Sequence, residues 1–191
     1  MIQPSADGGS PDHGHPGRDH RHGHGPRPRR AGGVRAAVVV ASDRCARGEA
    51  TDRSGPLARD LLTRGGYVVD RPVVVPDGAE EVERAIRAAI DDGAQVVLTS
   101  GGTGVGPRDL TPEGTRPLIT RELPGVAEAL RRHGEASVAT AVLSRGLAGV
   151  TAEGAVVVNL PGSVGGVAQG IDVLLPLLGH LIDQVAGGDH G

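Results

Sequence analysis

Apolar residues along this chain come in short blocks, and the blocks switch between a strand-like and a helix-like period. Residues 36–41 form a continuous apolar run, the mark of a strand covered on both faces. A polar loop through Gly48, Asp52, Ser54 and Gly55 follows. Pro56 then opens a predicted helix over residues 56–64 with Leu57, Leu61 and Leu62 on one face, and Gly65-Gly66 stops it. Residues 67–75 read as a second strand, which Pro72 interrupts or confines to an edge. Pro76-Asp77-Gly78 makes a turn. Residues 79–91 carry Val82, Ala85, Ile86, Ala89 and Ile90 at i, i+3, i+4 spacing, hence a helix, with the acidic first turn that the macrodipole favours. Residues 95–99 give a third strand. The order βαβαβ calls for a parallel sheet with helices on its faces.

The second half is broken more often. A short helix is expected over 112–119, a second running from the Leu123-Pro124-Gly125 interruption to about 133, and another short one within 135–143. Residues 146–151 and 155–160 flank Ala152-Glu153-Gly154 as a hairpin. A terminal helix over 171–185 contains Pro176, a kink signal. The fold class that results is α/β: a three-layer α/β/α arrangement with a mostly parallel central sheet and a small β-hairpin extension. The folded domain is expected over residues 34–186, with 187–191 a frayed tail.

Residues 1–33 have no such pattern. They are rich in Gly, Pro, Asp, His and Arg and cannot bury enough surface to offset ordering entropy, so a disordered tail is expected. His13, His15, His20, His22 and His24 read either as a metal-capturing tract or as a solvated tail with incidental metal affinity. His133 and His180 are expected on helix surfaces, without a role.

Composition removes several classes. Tyr67 is the only aromatic residue, so the core is built from Val, Leu, Ile and Ala, and bases cannot stack on aromatic platforms. The chain has no lysine, which excludes a Walker-type phosphate loop and a Schiff-base lysine. A formal net charge of −3 argues against a nucleic-acid binder. Cys45 is the single cysteine, so no disulfide can form within the chain. No apolar run of roughly 18 residues is evident, so no membrane span is expected. Arg29-Arg30 is followed by an apolar stretch too short for an export signal, and a cytoplasmic protein is expected.

The chemistry concentrates in one stretch. Val96-Val97-Leu98-Thr99-Ser100 runs into Gly101-Gly102-Thr103-Gly104-Val105-Gly106-Pro107-Arg108-Asp109-Leu110-Thr111-Pro112-Glu113. A buried strand, a glycine loop and a helix start, with Thr111 as N-cap and Pro112 at the first helical position, make an anion site from backbone N–H groups. Gly101, Gly102 and Gly104 let the backbone come close to a ligand. With 32 glycines in 191 residues, isolated glycine pairs carry little weight, whereas this run does. In parallel sheets ligands bind at the carboxyl ends of strands. Three polar clusters fall there: Ser42-Asp43-Arg44, Pro76-Asp77 and Ser100 to Asp109. Read locally, Asp77 is equally a turn residue.

The sequence resembles the molybdopterin adenylyltransferase family, the MogA/MoaB-like domain of molybdenum-cofactor biosynthesis. The resemblance spans about residues 35–186. It rests on Ser42-Asp43-Arg44, residues 52–55, Pro76-Asp77, the Gly-Gly-Thr-Gly-x-x-Pro-Arg-Asp-x-Thr-Pro-Glu run, Leu123-Pro124-Gly125, Ala141-Val142-Leu143-Ser144-Arg145 and Asn159-Leu160-Pro161-Gly162. It implies that the terminal phosphate of molybdopterin attacks the α-phosphate of ATP with Mg²⁺ present, yielding adenylyl-molybdopterin and pyrophosphate. It implies Asp77 and Asp109 as the critical carboxylates and tentative Mg²⁺ ligands. Binding roles fall on Ser42, Asp43, Ser54, Ser100, Gly101, Gly102, Thr103, Gly104, Arg108, Pro161, Gly162 and Ser163, with Arg44 as a further charge. A homotrimer and a molybdate-inserting partner enzyme are implied as well. A binding-only relative, or metal handling through the histidine-rich tail, are the alternatives. One departure stands out: the family commonly shows Pro-Gly-x-Pro-Lys at the late turn, and Pro161-Gly162-Ser163-Val164-Gly165 lacks the basic residue.

Overall fold

The computed structural model describes residues 33–188. The expectations for the histidine-rich tail and for Arg29-Arg30 lie outside the described residues. β1 (Arg35–Ala41) is followed by a one-turn helix α1 (Asp43–Ala46) and by α2 (Ser54–Arg64). β2 (Val68–Val69) and β3 (Val73–Val75) precede α3 (Ala79–Asp91) and β4 (Val96–Ser100). Then come α4 (Thr111–Thr115), a 3₁₀ turn (Arg116–Leu118), β5 (Ile119–Glu122) and α5 (Pro124–Glu135). A second 3₁₀ turn (Ala139–Leu143), β6 (Ala148–Thr151), β7 (Val156–Leu160) and α6 (Val164–Val185) complete the described chain.

The sheet runs β2-β1-β4-β7-β6-β5, with β3 also on β1. β2, β3 and β4 are all parallel to β1, and β7 is parallel to β4. The hairpin extension is present: its β7 arm joins the parallel core, and β6 and β5 continue from it antiparallel. Alternate strand residues feed two cores. Val38, Val40, Val96, Leu98, Val156 and Val158 face α2, α5 and α6, where Leu62, Ile171, Leu174 and Leu178 are fully buried. Val39, Val97 and Val157 face the other way, onto Val82 and Ile86 of α3. Period-two alternation on strands buried on both faces is what makes three layers.

Several boundaries differ from the sequence reading, each for a physical reason. α2 begins at Ser54 rather than Pro56, because the Asp52 carboxylate accepts from the Ser54 and Gly55 amides and holds the first turn. The strand expected over 67–75 is split into β2 and β3 around Pro72, which has no N–H to offer β1. Ser42-Asp43-Arg44 is helical from Asp43, with Ser42 as its N-cap. The segment 135–143 gives only a 3₁₀ turn over Ala139–Leu143. β5 was not expected at all: one apolar residue in four leaves no alternation, and its pairing with β6 alone makes it a strand.

α6 starts at Val164, not at 171. Ser163 caps it by accepting from the Gly166 amide, and this cap together with the burial of Val167 and Ile171 offsets the poor helix propensity of Gly165, Gly166 and Gly170. Pro176 lies inside it without ending it. At 22 residues α6 is long and apolar enough, by length and composition, to cross a membrane, which corrects the expectation that no such segment exists. Its Val167, Ile171, Leu174 and Leu178 stripe is spent on the sheet.

Candidate functional site

Parallel pairing gathers the strand ends. Ala41 is in register with Val75, Val40 with Ser100, and Ser100 with Leu160. The loops that leave β3, β1, β4 and β7 therefore emerge side by side in that order. The chain crosses from one side of β1 to the other on passing from β3 to β4, so β1 and β4 form a topological switch point, where such sheets bind ligands.

On the β3 side, Asp43 and Asp77 hold each other. The Asp43 amide donates to Asp77 Oδ2 at 2.8 Å, and the Asp77 amide donates to Asp43 Oδ1 at 3.2 Å. Arg108 reaches in from the glycine loop, donating to Asp43 Oδ2 at 2.7 Å and to the Asp77 carbonyl at 2.9 Å. Arg108 thus ties three strand ends together. Arg44 is exposed and makes no ion pair or side-chain hydrogen bond among the described residues.

The glycine loop is held by its carbonyls. Gly102 O accepts from the Thr111 amide, Thr103 O from the Arg145 amide, and Gly106 O from the Asp109 amide. The Arg145 guanidinium donates to Gly104 O at 2.6 Å, to Asp109 O, and to the Glu113 carboxylate. That contact holds the Glu113 carboxyl below its usual range and raises the Arg145 guanidinium. By contrast the amides of Gly102, Thr103, Gly104 and Val105 have no hydrogen-bond partner among the described residues. Four consecutive N–H groups without partners, beside carbonyls of Gly102, Thr103, Gly104 and Gly106 that are engaged elsewhere, are the makings of an anion nest. Glycine is required at the turn itself: Gly101 has φ +101°, and a Cβ there would run into the Ala41 carbonyl.

Asp109 closes the loop on itself, its Oδ2 accepting from the Gly106 amide at 2.8 Å. Each of the two expected carboxylates lies against a glycine of this loop. A Cβ on Gly102 would lie 3.5 Å from Asp77 Oδ1, and one on Gly104 would lie 2.8 Å from Asp109 Oδ2. Each acid has one oxygen anchored by a backbone amide, while Asp77 Oδ1 and Asp109 Oδ1 have no partner among the described residues.

A second group of expected residues sits on the other side of Gly101. Ser42, Ser54, Ser100, Gly162 and Ser163 line a hollow of about 330 Å³ beside Cys45. Neither Asp77 nor Asp109 lines it. Thr51, Asp52 and Arg53 line it too, and the Arg53 guanidinium has no ion pair or hydrogen bond among the described residues, whereas several of the serines are tied into the fold. Ser54 Oγ donates to Asp52 Oδ1 at 3.0 Å, and the buried Ser100 Oγ lies 3.0 Å from Ser54 Oγ and 3.2 Å from the Pro161 carbonyl. Ser42 and Ser163 are helix caps, accepting from the Cys45 and Gly166 amides. Ser100 and Ser54 therefore shape this hollow more than they present free donors to it.

The sequence gives no role to Arg145 or Asn159 and a different one to Thr111. Arg145 was noticed only as part of a motif; its acceptors are 32 to 41 residues away, so no spacing reveals the clamp. Asn159, 2% exposed, donates to Thr99 Oγ1 at 3.0 Å and Thr115 Oγ1 at 2.9 Å and accepts from the Leu147 amide. It pins both ends of the glycine loop to β7. Thr111 was expected as an N-cap; Leu110 takes that position, and the Thr111 hydroxyl caps nothing.

The donor set fits magnesium. Mg²⁺ takes one or two carboxylates and completes its shell with phosphate oxygens and water. Asp77 Oδ1 and Asp109 Oδ1 are such donors. Among the described residues no group of three or more His, Cys, Asp or Glu side chains converges, so a cation here takes its other oxygens from the ligand and water.

The family described as a probable molybdopterin binding domain matches residues 37–180. A molybdenum cofactor biosynthesis bifunctional protein of Chlorobaculum tepidum is 41% identical over 156 residues, covering 82% of this chain and 50% of that protein. The chain thus spans about half the length of that relative. The molybdopterin adenylyltransferase of Pyrococcus furiosus is 40% identical over 149 residues, covering 76% of this chain and 87% of that protein. A crystal structure of a molybdopterin biosynthesis protein from Mycobacterium abscessus aligns with a TM-score of 0.76 at 44% identity, over 81% of this chain and 97% of that one. With fold, glycine loop and sequence in agreement, the chain belongs to the molybdopterin-binding domain family of molybdenum-cofactor biosynthesis proteins.

Proposed function

We propose that the chain adenylylates molybdopterin in molybdenum-cofactor biosynthesis, using Mg-ATP. The observation that carries this is the loop at 102–105: four unpartnered amides beside two carboxylates that each keep one oxygen free. Two anions must be brought together, and this is the chemistry of such a surface.

In the reaction, an oxygen of the molybdopterin phosphate attacks the α-phosphorus of ATP. The bond from that phosphorus to the bridging oxygen of the β-phosphate breaks, pyrophosphate leaves with the electron pair, and a new P–O–P linkage forms. No general base is needed, because the attacking oxygen is already ionised; positioning and charge neutralisation do the rest. The amides of Gly102, Thr103, Gly104 and Val105 hold phosphate oxygens. Asp77 and Asp109 would hold Mg²⁺, which when bound would neutralise phosphate charge. Asp43 and Arg108 fix Asp77, and Arg145 fixes the loop. The hollow lined by Ser42, Ser54, Ser100, Gly162 and Ser163, with Pro161 behind it and Arg53 in its lining, holds a further part of one substrate. A homotrimer, a cytoplasmic location and a molybdate-inserting partner complete the reading.

A second reading is molybdopterin binding without turnover. It is favoured by the missing basic residue at Ser163-Val164-Gly165. The full chain incubated with molybdopterin and Mg-ATP separates the two. Adenylyl-molybdopterin with one pyrophosphate per turnover supports the transferase. Tight pterin binding with no pyrophosphate supports the binding protein.

A further inference from the structure

Thr111 Oγ1 is the one buried side-chain polar atom without a hydrogen-bond partner among the described residues, in a residue 1% exposed. Its surroundings make that notable. The neighbouring hydroxyls are all engaged: Thr115 Oγ1 donates to the Thr111 carbonyl at 2.8 Å and accepts from Asn159, which also serves Thr99. The Thr111 amide is used too, on Gly102 O. Only the Thr111 hydroxyl is left over, and it is not left over in an apolar place. A Cβ on Gly102 would lie 2.5 Å from Thr111 Oγ1 and 3.5 Å from Asp77 Oδ1. The orphan hydroxyl and the free carboxylate oxygen therefore flank one glycine, the first of the four residues whose amides are unpartnered.

Leaving a buried hydroxyl unpaired costs stability, whereas an isosteric methyl in the same place costs nothing. A core that gives Thr99 and Thr115 their partners has no folding reason to keep a fully enclosed hydroxyl at 111 without one. We propose that Thr111 is a ligand-binding residue, whose hydroxyl takes its missing partner from an oxygen of the bound phosphate group at Gly102. Gly102 covers the hydroxyl in the free protein; a hop of Thr111 between staggered χ1 wells as the ligand seats is the movement required. The hydroxyl then donates to a phosphate oxygen. This deepens the proposed function and rests on it for the identity of the phosphate, which can belong to the nucleotide or to the pterin.

The test compares Thr111→Val, Thr111→Ser and the parent as full chains. Melting is measured without ligand, and binding is titrated with Mg-ATP and, separately, with Mg-pyrophosphate. Thr111→Val is expected to melt about 3 °C higher than the parent, because it removes an unpaired polar group. It is expected to bind phosphate ligands about 10- to 100-fold more weakly, the loss of a hydrogen bond to a charged group. Thr111→Ser keeps the hydroxyl and is expected to bind within about threefold of the parent. A Val variant that melts lower than the parent, or binds as tightly, overturns the proposal. The two readings fail separately. A parent that binds pyrophosphate but never adenylylates molybdopterin sinks the transferase and leaves the Val and Ser contrast to decide Thr111. A parent that adenylylates, with a Val variant equal in affinity and rate, sinks Thr111 alone.

Discussion

The two sides of Gly101 are built from the same end of the same sheet, yet they treat polar groups in opposite ways. Toward β7 and α6, hydroxyls are consumed by the protein: Ser54 on Asp52, Ser100 on Ser54 or the Pro161 carbonyl, Ser42 and Ser163 on helix turns. Toward β3, the protein consumes carbonyls and leaves amides, a hydroxyl and two carboxylate oxygens without partners. Unsatisfied polar groups are costly in a fold and accumulate where a ligand satisfies them. The difference separates a side of open amides and acids from a side whose serines are tied into the fold, with the unpaired Arg53 guanidinium as its open charge.

Substitutions can break this contrast. The largest effect is expected from Asp109→Asn and Asp77→Asn. Each should cut adenylylation by about 10²–10³-fold, the scale of a lost electrostatic contact, with circular dichroism unchanged. Asn159→Leu should come next. It leaves the Thr99 and Thr115 hydroxyls and the Leu147 amide without their partner, and a loss of about 2–4 kcal/mol in urea unfolding is expected. Arg145→Ala should release the loop carbonyls, weakening pyrophosphate binding by about tenfold; Arg145→Lys cannot fork to three acceptors and should restore it only partly. On the other side, Ser54→Ala should cost about 1 kcal/mol of stability and change phosphate affinity less than threefold. If Ser54→Ala lowers phosphate binding as much as Arg145→Ala does, the division between the two sides is wrong.

The smallest effect concerns pH. Glu113 is held below its usual carboxylate range by Arg145, so it binds fewer protons folded than unfolded. Its contribution is present above the unfolded value and fades as pH falls through the lowered folded one. Glu113→Gln should therefore lower stability slightly at neutral pH and not at all in strong acid, flattening the acid side of the profile; the effect is small because the pair is largely exposed and solvent-screened.

What the sequence makes legible follows the strength of local signals. Residues 36–41 and 96–98 declare buried strands because unbroken valine runs have few other uses. The glycine loop declares itself because its Gly-Gly-Thr-Gly-x-x-Pro-Arg-Asp-x-Thr-Pro-Glu run resembles the family's over a dozen positions. β5 is silent, since Thr120, Arg121 and Glu122 carry no alternation and only β6 makes them a strand. The first two turns of α6 are hidden by glycines whose cost is met by the Ser163 cap and by packing of Val167. At the site, Asp77 and Asp109 are nameable by motif, but their mutual setting is not. Strand order puts β1 between β3 and β4, and only that order lets Asp43 grip Asp77 while Arg108 reaches across. Thr111 misleads in the sequence because a threonine before Pro112 suits an N-cap; its actual distinction, a missing partner, exists only in three dimensions.

The most direct measurement is pyrophosphate release by the full chain from Mg-ATP and molybdopterin, run beside Asp77→Asn and Asp109→Asn. The loop and its two half-free acids predict stoichiometric release by the parent and a fall of about two to three orders of magnitude in each variant. Release at the parental rate by both variants, or none by the parent under conditions where molybdopterin binds, would contradict it.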